Sequence, residues 1–408
     1  MKNDIDNLMK QRDLDAIFVT GSTRNNPAMY YLTNGAQIGE HSMLVKKRDS
    51  EAILIVIDME RDEARSSELQ ILQLSEFQNS ITEKQENTTV QNANIIASIF
   101  LKLKIKGRVG IYGREEQGYT LSLYKILSSK LPNVSFVAEN TPNIIQTMQT
   151  TKDQLEIKRI KSVADRALYI VNETRNYIAS HKIINNKLVS QSGTIVTVGH
   201  IQNLIRKWSA EQNLENPEGL IFSIGKDSSI PHSRGAPNTP ICPGETIIFD
   251  YFPCEYGGGY FYDFTRTWCI GHASPQIERL YEAVIIAHKI AIDNIRANQS
   301  CASAQKLVNN YFEELGHKTT RSFPGTNNGY VHTLGHGIGL SVHEYPRLSE
   351  TVSNNDFVQL GMTLTIEPGL YYPNDNIGIR VEDYIWINPT TGFPETIGEF
   401  DKELIIPI

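Results

Sequence analysis

The stretch His332-Thr333-Leu334-Gly335-His336-Gly337-Ile338-Gly339-Leu340-Ser341-Val342-His343-Glu344 packs three of the chain's ten histidines into twelve residues. His332 and His336 are four apart and would share a face on a helix, as in the zinc-binding pattern H-E-x-x-H. Thr333, however, stands where that pattern has its catalytic Glu. Gly335, Gly337 and Gly339 would each cost a helix about 1 kcal/mol. The stretch therefore reads as strand or tight turn. Alternate glycines clear one side of it, so that backbone or a bulky ligand can come close while the histidines project towards a common point. The G-x-G-x-G spacing lacks the strand, helix and downstream acid of a dinucleotide fingerprint.

A histidine holding a hydrolytic metal needs oxygen partners, and four carboxylates stand in matching settings. Thr363-Leu364-Thr365-Ile366-Glu367 and Gly378-Ile379-Arg380-Val381-Glu382-Asp383 each place a Glu at the end of a β-branched run. Thr246-Ile247-Ile248-Phe249-Asp250 and Tyr260-Phe261-Tyr262-Asp263-Phe264-Thr265-Arg266-Thr267 do the same with an Asp. Strands of this composition are mostly buried, and a buried carboxylate without a partner is costly. Asp250, Asp263, His336, Glu367 and Glu382 together carry four negative charges and match a pair of divalent ions, which two-metal hydrolases hold ~3.5–4 Å apart. Oxygen-rich ligation favours manganese, with cobalt, iron or zinc as the other candidates. The four cysteines, Cys242, Cys254, Cys269 and Cys301, contain no C-x-x-C pair.

The ordered set FDYFP, DFTRT, HTLGHGIGLSVHE, TIEPGLYY and GIRVEDYI resembles the pita-bread metallopeptidases, the superfamily of methionine aminopeptidase, prolidase and aminopeptidase P. The match is nearest to the Xaa-Pro aminopeptidase and Xaa-Pro dipeptidase branch and spans roughly residues 152–408. Five motifs in the family's order make it specific. The resemblance implies that Asp250 holds one ion, that His336 and Glu367 complete the second, and that Asp263 and Glu382 bridge both. It further implies a hydroxide shared by the ions as nucleophile, and Glu367 as proton shuttle to the leaving nitrogen. His343 matches the family's second histidine, which donates to the substrate carbonyl or oxyanion. His232, in a Pro- and Ser-rich loop, matches one that faces the scissile carbonyl. His332 reads equally as a substrate contact or as a support for the site.

Arg380, two residues before Glu382, should share its sheet face, either orienting carboxylates or binding a substrate carboxylate. Asp383 and Thr265 are plausible supports. His288, on the apolar face of a helix, reads as a core histidine. Gly257-Gly258-Gly259, between Asp250 and Asp263, reads as a hairpin tip flanked by aromatics, and lengthens their spacing to thirteen, two more than the family leads one to expect.

At 408 residues the chain is long enough for two domains. An apolar content of 40% and a charged content of 21% suit a soluble globular protein, and a net charge of -7 argues against nucleic acid or an anionic membrane as partner. The polar start Met1-Lys2-Asn3-Asp4 and the lack of any long apolar window point to a cytoplasmic protein.

Residues 1–150 read as an α/β N-terminal domain of creatinase/prolidase type, with strands at 15–20, 42–45, 52–57, 109–112 and 134–137 and helices at 4–13, 92–103 and 119–131. It carries no evident chemistry, which suits a role in oligomerisation. Residues 151–408 read as an α+β pita-bread catalytic domain. Thr151-Lys152-Asp153-Gln154 has the form of a capping box opening a long helix. Further helices are expected near 196–212, from Ser274-Pro275 to about 295, and over 302–315.

The combined expectation is a homodimeric, dinuclear peptidase acting on small peptides with proline at the second position. The alternatives within the superfamily are metal-free creatinase-like and non-catalytic binding relatives, both expected to lack ligands, and enzymes of non-peptide chemistry, such as dimethylsulfoniopropionate lyase or organophosphate hydrolase.

Overall fold

A computed structural model describes residues 4–39, 41–78, 87–351 and 356–408. The chain divides into two compact units, Met1–Gln149 with Gly257–Gly259, and Thr150–Tyr256 with Tyr260–Ile408.

The first unit is built on a six-stranded sheet in the spatial order Gln70–Gln73, Ala52–Val56, Met43–Lys47, Ala16–Thr20, Gly107–Gly113, Val134–Val137. Ala16–Thr20 pairs parallel with Gly107–Gly113 and antiparallel with Met43–Lys47, so the sheet is mixed. Ala16, Ile17, Phe18 and Val19 are all buried, which explains a continuous apolar run in place of alternation. Helices Thr88–Lys102 and Gln117–Lys130 contribute to the core, where Phe18 meets Phe100 edge to face at 5.2 Å.

The second unit has two halves, each with two helices and an antiparallel sheet. In the first, Gln154–Ala179 and Val198–Glu211 accompany the strands Ile221–Ile224, Ile247–Tyr251 and Phe264–Ile270, with Ile405–Ile406 added parallel at the edge. In the second, Pro275–Asn294 and Cys301–Glu314 pack on a five-stranded sheet ordered Glu344–Leu348, Gly335–Gly337, Thr363–Ile366, Asp383–Ile387, Pro394–Thr396. The hairpin Gly369–Tyr372 with Ile377–Arg380 lies between its members in sequence. A bridge between Thr265 and Glu382, with the Glu382 amide donating to the Thr265 carbonyl at 3.0 Å, joins the two halves. Among the described residues, no helix is long and apolar enough to cross a membrane.

The start of the long helix differs from expectation. Thr151 is held in an antiparallel bridge to Met362, which keeps its backbone extended. The helix therefore begins two residues later. Asp153 Oδ1 accepts the amides of Leu155 and Glu156, both at 2.9 Å, and Glu156 Oε2 accepts the amide of Asp153 at 2.8 Å. The capping box is real but belongs to Asp153 and Glu156. The helix Pro275–Asn294 starts as its Ser-Pro pair predicts, with Ser274 Oγ accepting the Ile277 amide.

Asp153→Ala should lower the unfolding free energy by about 1 kcal/mol. Urea denaturation of the two proteins checks it, and an unchanged midpoint would remove Asp153 from the cap.

Candidate metal centre and its surround

Strand pairing sets the site. Asp250 lies opposite Thr265 in the ladder between Ile247–Tyr251 and Phe264–Ile270, and Thr265 is in turn bridged to Glu382. Asp250, Thr265 and Glu382 thus form a row across three segments on one face. Side chains alternate, so Asp263, two before Thr265, and Arg380, two before Glu382, join the same face. Asp263 stands one residue ahead of its strand, which starts at Phe264 and not at Tyr260 as expected. The preceding residues turn instead through a hairpin closed by the Glu255 amide on the Tyr260 carbonyl at 3.2 Å and the Tyr262 amide on the Pro253 carbonyl at 2.9 Å.

His336 arrives on the short strand Gly335–Gly337. A Cβ on Gly335 would run into the Thr365 carbonyl, and one on Gly337 into the Tyr345 carbonyl. The alternate glycines therefore admit neighbouring backbone on both sides, which fixes the histidine between them. Glu367 follows Thr363–Ile366, its amide bonded to the Leu334 carbonyl at 2.8 Å.

The structure brings together Asp263, His336 and Glu382, all buried, with one possible ligand atom from each within 4.8 Å of the others. His336 Nε2 is 3.6 Å from Glu367 Oε1 and 3.9 Å from Asp263 Oδ2. Asp250 contributes from one step further, with Oδ2 on Arg380 Nη2 at 2.6 Å. Oδ1 of Asp250 and Oδ1 of Asp263 are both buried with no hydrogen-bond partner. His336 Nδ1 lies 3.0 Å from the Gly337 carbonyl. A carbonyl only accepts, so Nδ1 carries the proton and the Nε2 lone pair faces the carboxylates, the form a metal ligand needs.

The charges are not balanced by side chains alone. Burial, then Glu382, Asp250 and Glu367, push the Asp263 carboxyl well above the usual range. Burial followed by Glu382 does the same to Glu367. Glu382 is pushed up to about 8 by burial and Asp250, against the opposing pull of Arg380. Burial holds His336 neutral, its pKa lowered to about 3. Four carboxylates around one guanidinium, with orphaned oxygens and an unprotonated imidazole nitrogen, form a donor set that fits hard divalent cations.

Around this group, Arg380 spans several partners. Besides Asp250, it donates to the Tyr371 hydroxyl at 2.6 Å, to the Pro231 carbonyl at 3.2 Å and to Thr265 Oγ1 at 3.4 Å. Tyr371 Oη is also 3.1 Å from His332 Nε2, and His332 Nδ1 is 2.8 Å from the Thr333 carbonyl. The donors and acceptors form one consistent chain from Arg380 through Tyr371 and His332 to that carbonyl, and His332 Nδ1 lies 3.9 Å from Glu367 Oε2. His343 is exposed, with its ring centroid 4.5 Å from that of His336. His232 is exposed as well, one residue after the Pro231 carbonyl that Arg380 holds.

Sequence reading missed Tyr371, although counting by twos from Glu367 through Gly369 reaches it. A Cβ on Gly369 would stand 2.9 Å from the Tyr371 hydroxyl. Thr265 proves a direct neighbour, donating to Glu382 Oε2 at 2.8 Å. Asp383 does not belong to the site. As the residue after Glu382 it faces the other way, where it meets Arg266 at 2.8 Å, Lys402 at 2.6 Å and His288 Nε2 at 3.3 Å. Arg266 also donates to the carbonyls of Thr265, Glu382, Phe400 and Asp401. The back of the site is thus a second buried charge cluster, with Asp383 held well below the usual carboxylate range: burial alone would raise it, and Arg266, His288 and Lys402 outweigh that.

Residues 164–389 match the model of metallopeptidase family M24, and residues 3–148 that of the creatinase/prolidase N-terminal domain. An uncharacterized peptidase of Methanocaldococcus jannaschii is 28% identical over 275 residues, 66% of this chain and 66% of that protein. An Xaa-Pro dipeptidase of Pyrococcus horikoshii is 23% identical over 400 residues, 97% of this chain and 96% of that protein. Among solved structures, an X-Pro aminopeptidase from Thermotoga maritima superposes with a TM-score of 0.74 at 21% identity, covering 97% of each chain.

Burial lowers the His288 pKa from 6.5 to about 4. The unfolded chain therefore binds a proton below pH 6.5 that the folded chain refuses, and stability should fall as pH drops from 6.5 to 4, by up to roughly 3 kcal/mol from this residue. Urea midpoints across that window should show a shallower loss in His288→Leu than in the unsubstituted protein.

Proposed function

The chain belongs to metallopeptidase family M24, with an N-terminal domain of creatinase/prolidase type, and from that premise we propose that it hydrolyses the bond between an N-terminal residue and a following proline. The observation that carries the reading is the convergence of buried Asp250, Asp263, His336 and Glu382 with the partly open Glu367, with more negative charge than Arg380 offsets. This set, Asp250, Asp263, His336, Glu367 and Glu382, would hold two divalent ions. An oxygen-rich set favours manganese, with cobalt, iron or zinc as the other candidates. Bound ions supply Lewis acidity to the scissile carbonyl and lower the pKa of a water from 15.7 to about 7.

The chain's own groups do the rest. Glu367 is the member of the set with the most open side chain, 18% exposed against 13% for Asp250. It can exchange a proton with water, and in this reading takes the proton from the attacking water and passes it to the proline nitrogen. His343, at the exposed edge, donates to the carbonyl oxygen as negative charge develops there. His232 faces the same carbonyl from the loop after Pro231. Arg380 orients Asp250 while Tyr371 and His332 fix the guanidinium. Relatives bearing dipeptidase and aminopeptidase names support the proline-directed substrate, a dipeptide or a longer peptide.

The test is amino-acid release from an Xaa-Pro dipeptide and an Xaa-Pro-Xaa tripeptide by metal-stripped enzyme resupplied with manganese, cobalt, iron or zinc. Activity should return with metal, and Asp263→Asn should lower it by more than about a hundredfold. The ratio of the two rates separates dipeptidase from aminopeptidase. Calorimetric binding of two ions per chain without cleavage of either peptide would keep the metal centre and overturn the substrate.

A further inference from the structure

His343 sits in a turn between Gly335–Gly337 and Glu344–Leu348, and that turn rests on an ion pair with no part in the proposed chemistry. Lys152 Nζ and Glu344 Oε2 are 2.6 Å apart, with side chains 1% and 8% exposed. The other oxygen, Glu344 Oε1, reaches back over the turn to accept the amides of Leu340 at 2.6 Å and Ser341 at 3.3 Å. One carboxylate therefore spans the residues on either side of His343, since Glu344 directly follows it.

Lys152 is fixed independently of the turn. Its amide donates to the Gly361 carbonyl at 2.8 Å, ahead of the strand Thr363–Ile366. The helix that follows does not need its side chain, because Asp153 and Glu156 already cap it. The base of the turn is held as well, by Thr363 Oγ1 on the Ile338 carbonyl at 2.6 Å and the Phe261 amide on the Gly339 carbonyl at 2.7 Å. Between that base and the strand Glu344–Leu348 lies Leu340–His343, the segment that Glu344 pins, with Leu340 and Val342 themselves buried. Gly339 makes the arrangement possible, since a Cβ there would stand 2.7 Å from both Glu344 Oε2 and Lys152 Nζ.

Taking two charges out of water is costly, so a buried pair is weak evidence of a stabilising role, although removing one partner alone leaves the other charge buried and unpaired. Its placement here has a geometric use. We infer that Lys152 and Glu344 are positioning residues for His343, holding the Leu340–His343 turn so that the imidazole stays against His336 and open to substrate. The inference rests on the reading of His343 as the donor to the scissile carbonyl. Lys152 offsets the buried charge of Glu344, and Glu344 fixes the turn.

The test measures kcat, KM and metal content for Lys152→Met, Gly339→Ala, His343→Ala and each of the first two combined with His343→Ala. Gly339→Ala wedges the pair apart without removing a charge, and so serves if Lys152→Met folds poorly. Each single variant at Lys152 or Gly339 should lose about tenfold to a hundredfold in kcat, the cost of a displaced catalytic group, with KM and metal content little changed. In the His343→Ala background the same changes should cost less than about twofold, because residues acting through one group are not additive. Losses that multiply in full, or that follow loss of metal, would overturn the positioning role alone. An unaffected kcat in His343→Ala would overturn the catalytic reading of His343 and this inference with it. A crystal structure of Gly339→Ala should show Leu340–His343 displaced while Asp263, His336 and Glu382 stay in place, a readout that needs no turnover; an unmoved turn would overturn the inference.

Discussion

Four carboxylates converge on one histidine in a region largely closed to water, and the rest of the second unit is arranged to make that tolerable. Burial first, and then like charges at this range, raise the proton affinity of Asp263, Glu367 and Glu382. A single guanidinium, Arg380, reaches one of them directly. The remaining excess charge is what a metallopeptidase of this family turns to use, since the same repulsion that destabilises the protein without metal is relieved by binding it. Affinity for the ions and strain in their absence are two descriptions of one electrostatic imbalance.

The sheet holds this arrangement by keeping two charge clusters on opposite faces. Asp263, Thr265, Arg380 and Glu382 look one way, while Arg266 and Asp383, each a single residue further on, look the other. Arg266 ties together the carbonyls of Thr265 and Glu382, the residues whose bridge joins the two halves of the unit. The front cluster is deficient in positive charge and the rear one is nearly closed, with Arg266, Lys402 and His288 gathered on Asp383. That contrast explains why Asp383 is held below the ordinary carboxylate range within a few residues of acids displaced above it.

Much of this was legible in the residues. Strands ending in an acid could be found because burial of both faces leaves a near-continuous apolar run, against which a carboxylate stands out, and the glycines of the His336 stretch excluded a helix. Alternation correctly paired Arg380 with Glu382. The same rule, applied one residue further, would have removed Asp383 from the site, and applied from Glu367 would have added Tyr371. The cap of the long helix was displaced because Thr151 is claimed by a bridge to Met362, a contact more than two hundred residues away that no local pattern carries. Lys152 and Glu344 were hidden for a similar reason, lying 192 positions apart.

The hairpin before Asp263 bears on where this chain can change length. Its stem is closed by backbone bonds between Glu255 and Tyr260 and between Pro253 and Tyr262, so added residues are absorbed at the glycine tip and the register of Asp263 is preserved. Beyond the stem there is no such slack. One residue gained or lost between Asp263 and Thr267 would turn the strand over, presenting Arg266 to Asp250 and Glu382 and burying Thr265 against Asp383. Length variation among descendants of this sequence is thereby channelled to the tip, where the glycines sit, and withheld from the few residues that follow it.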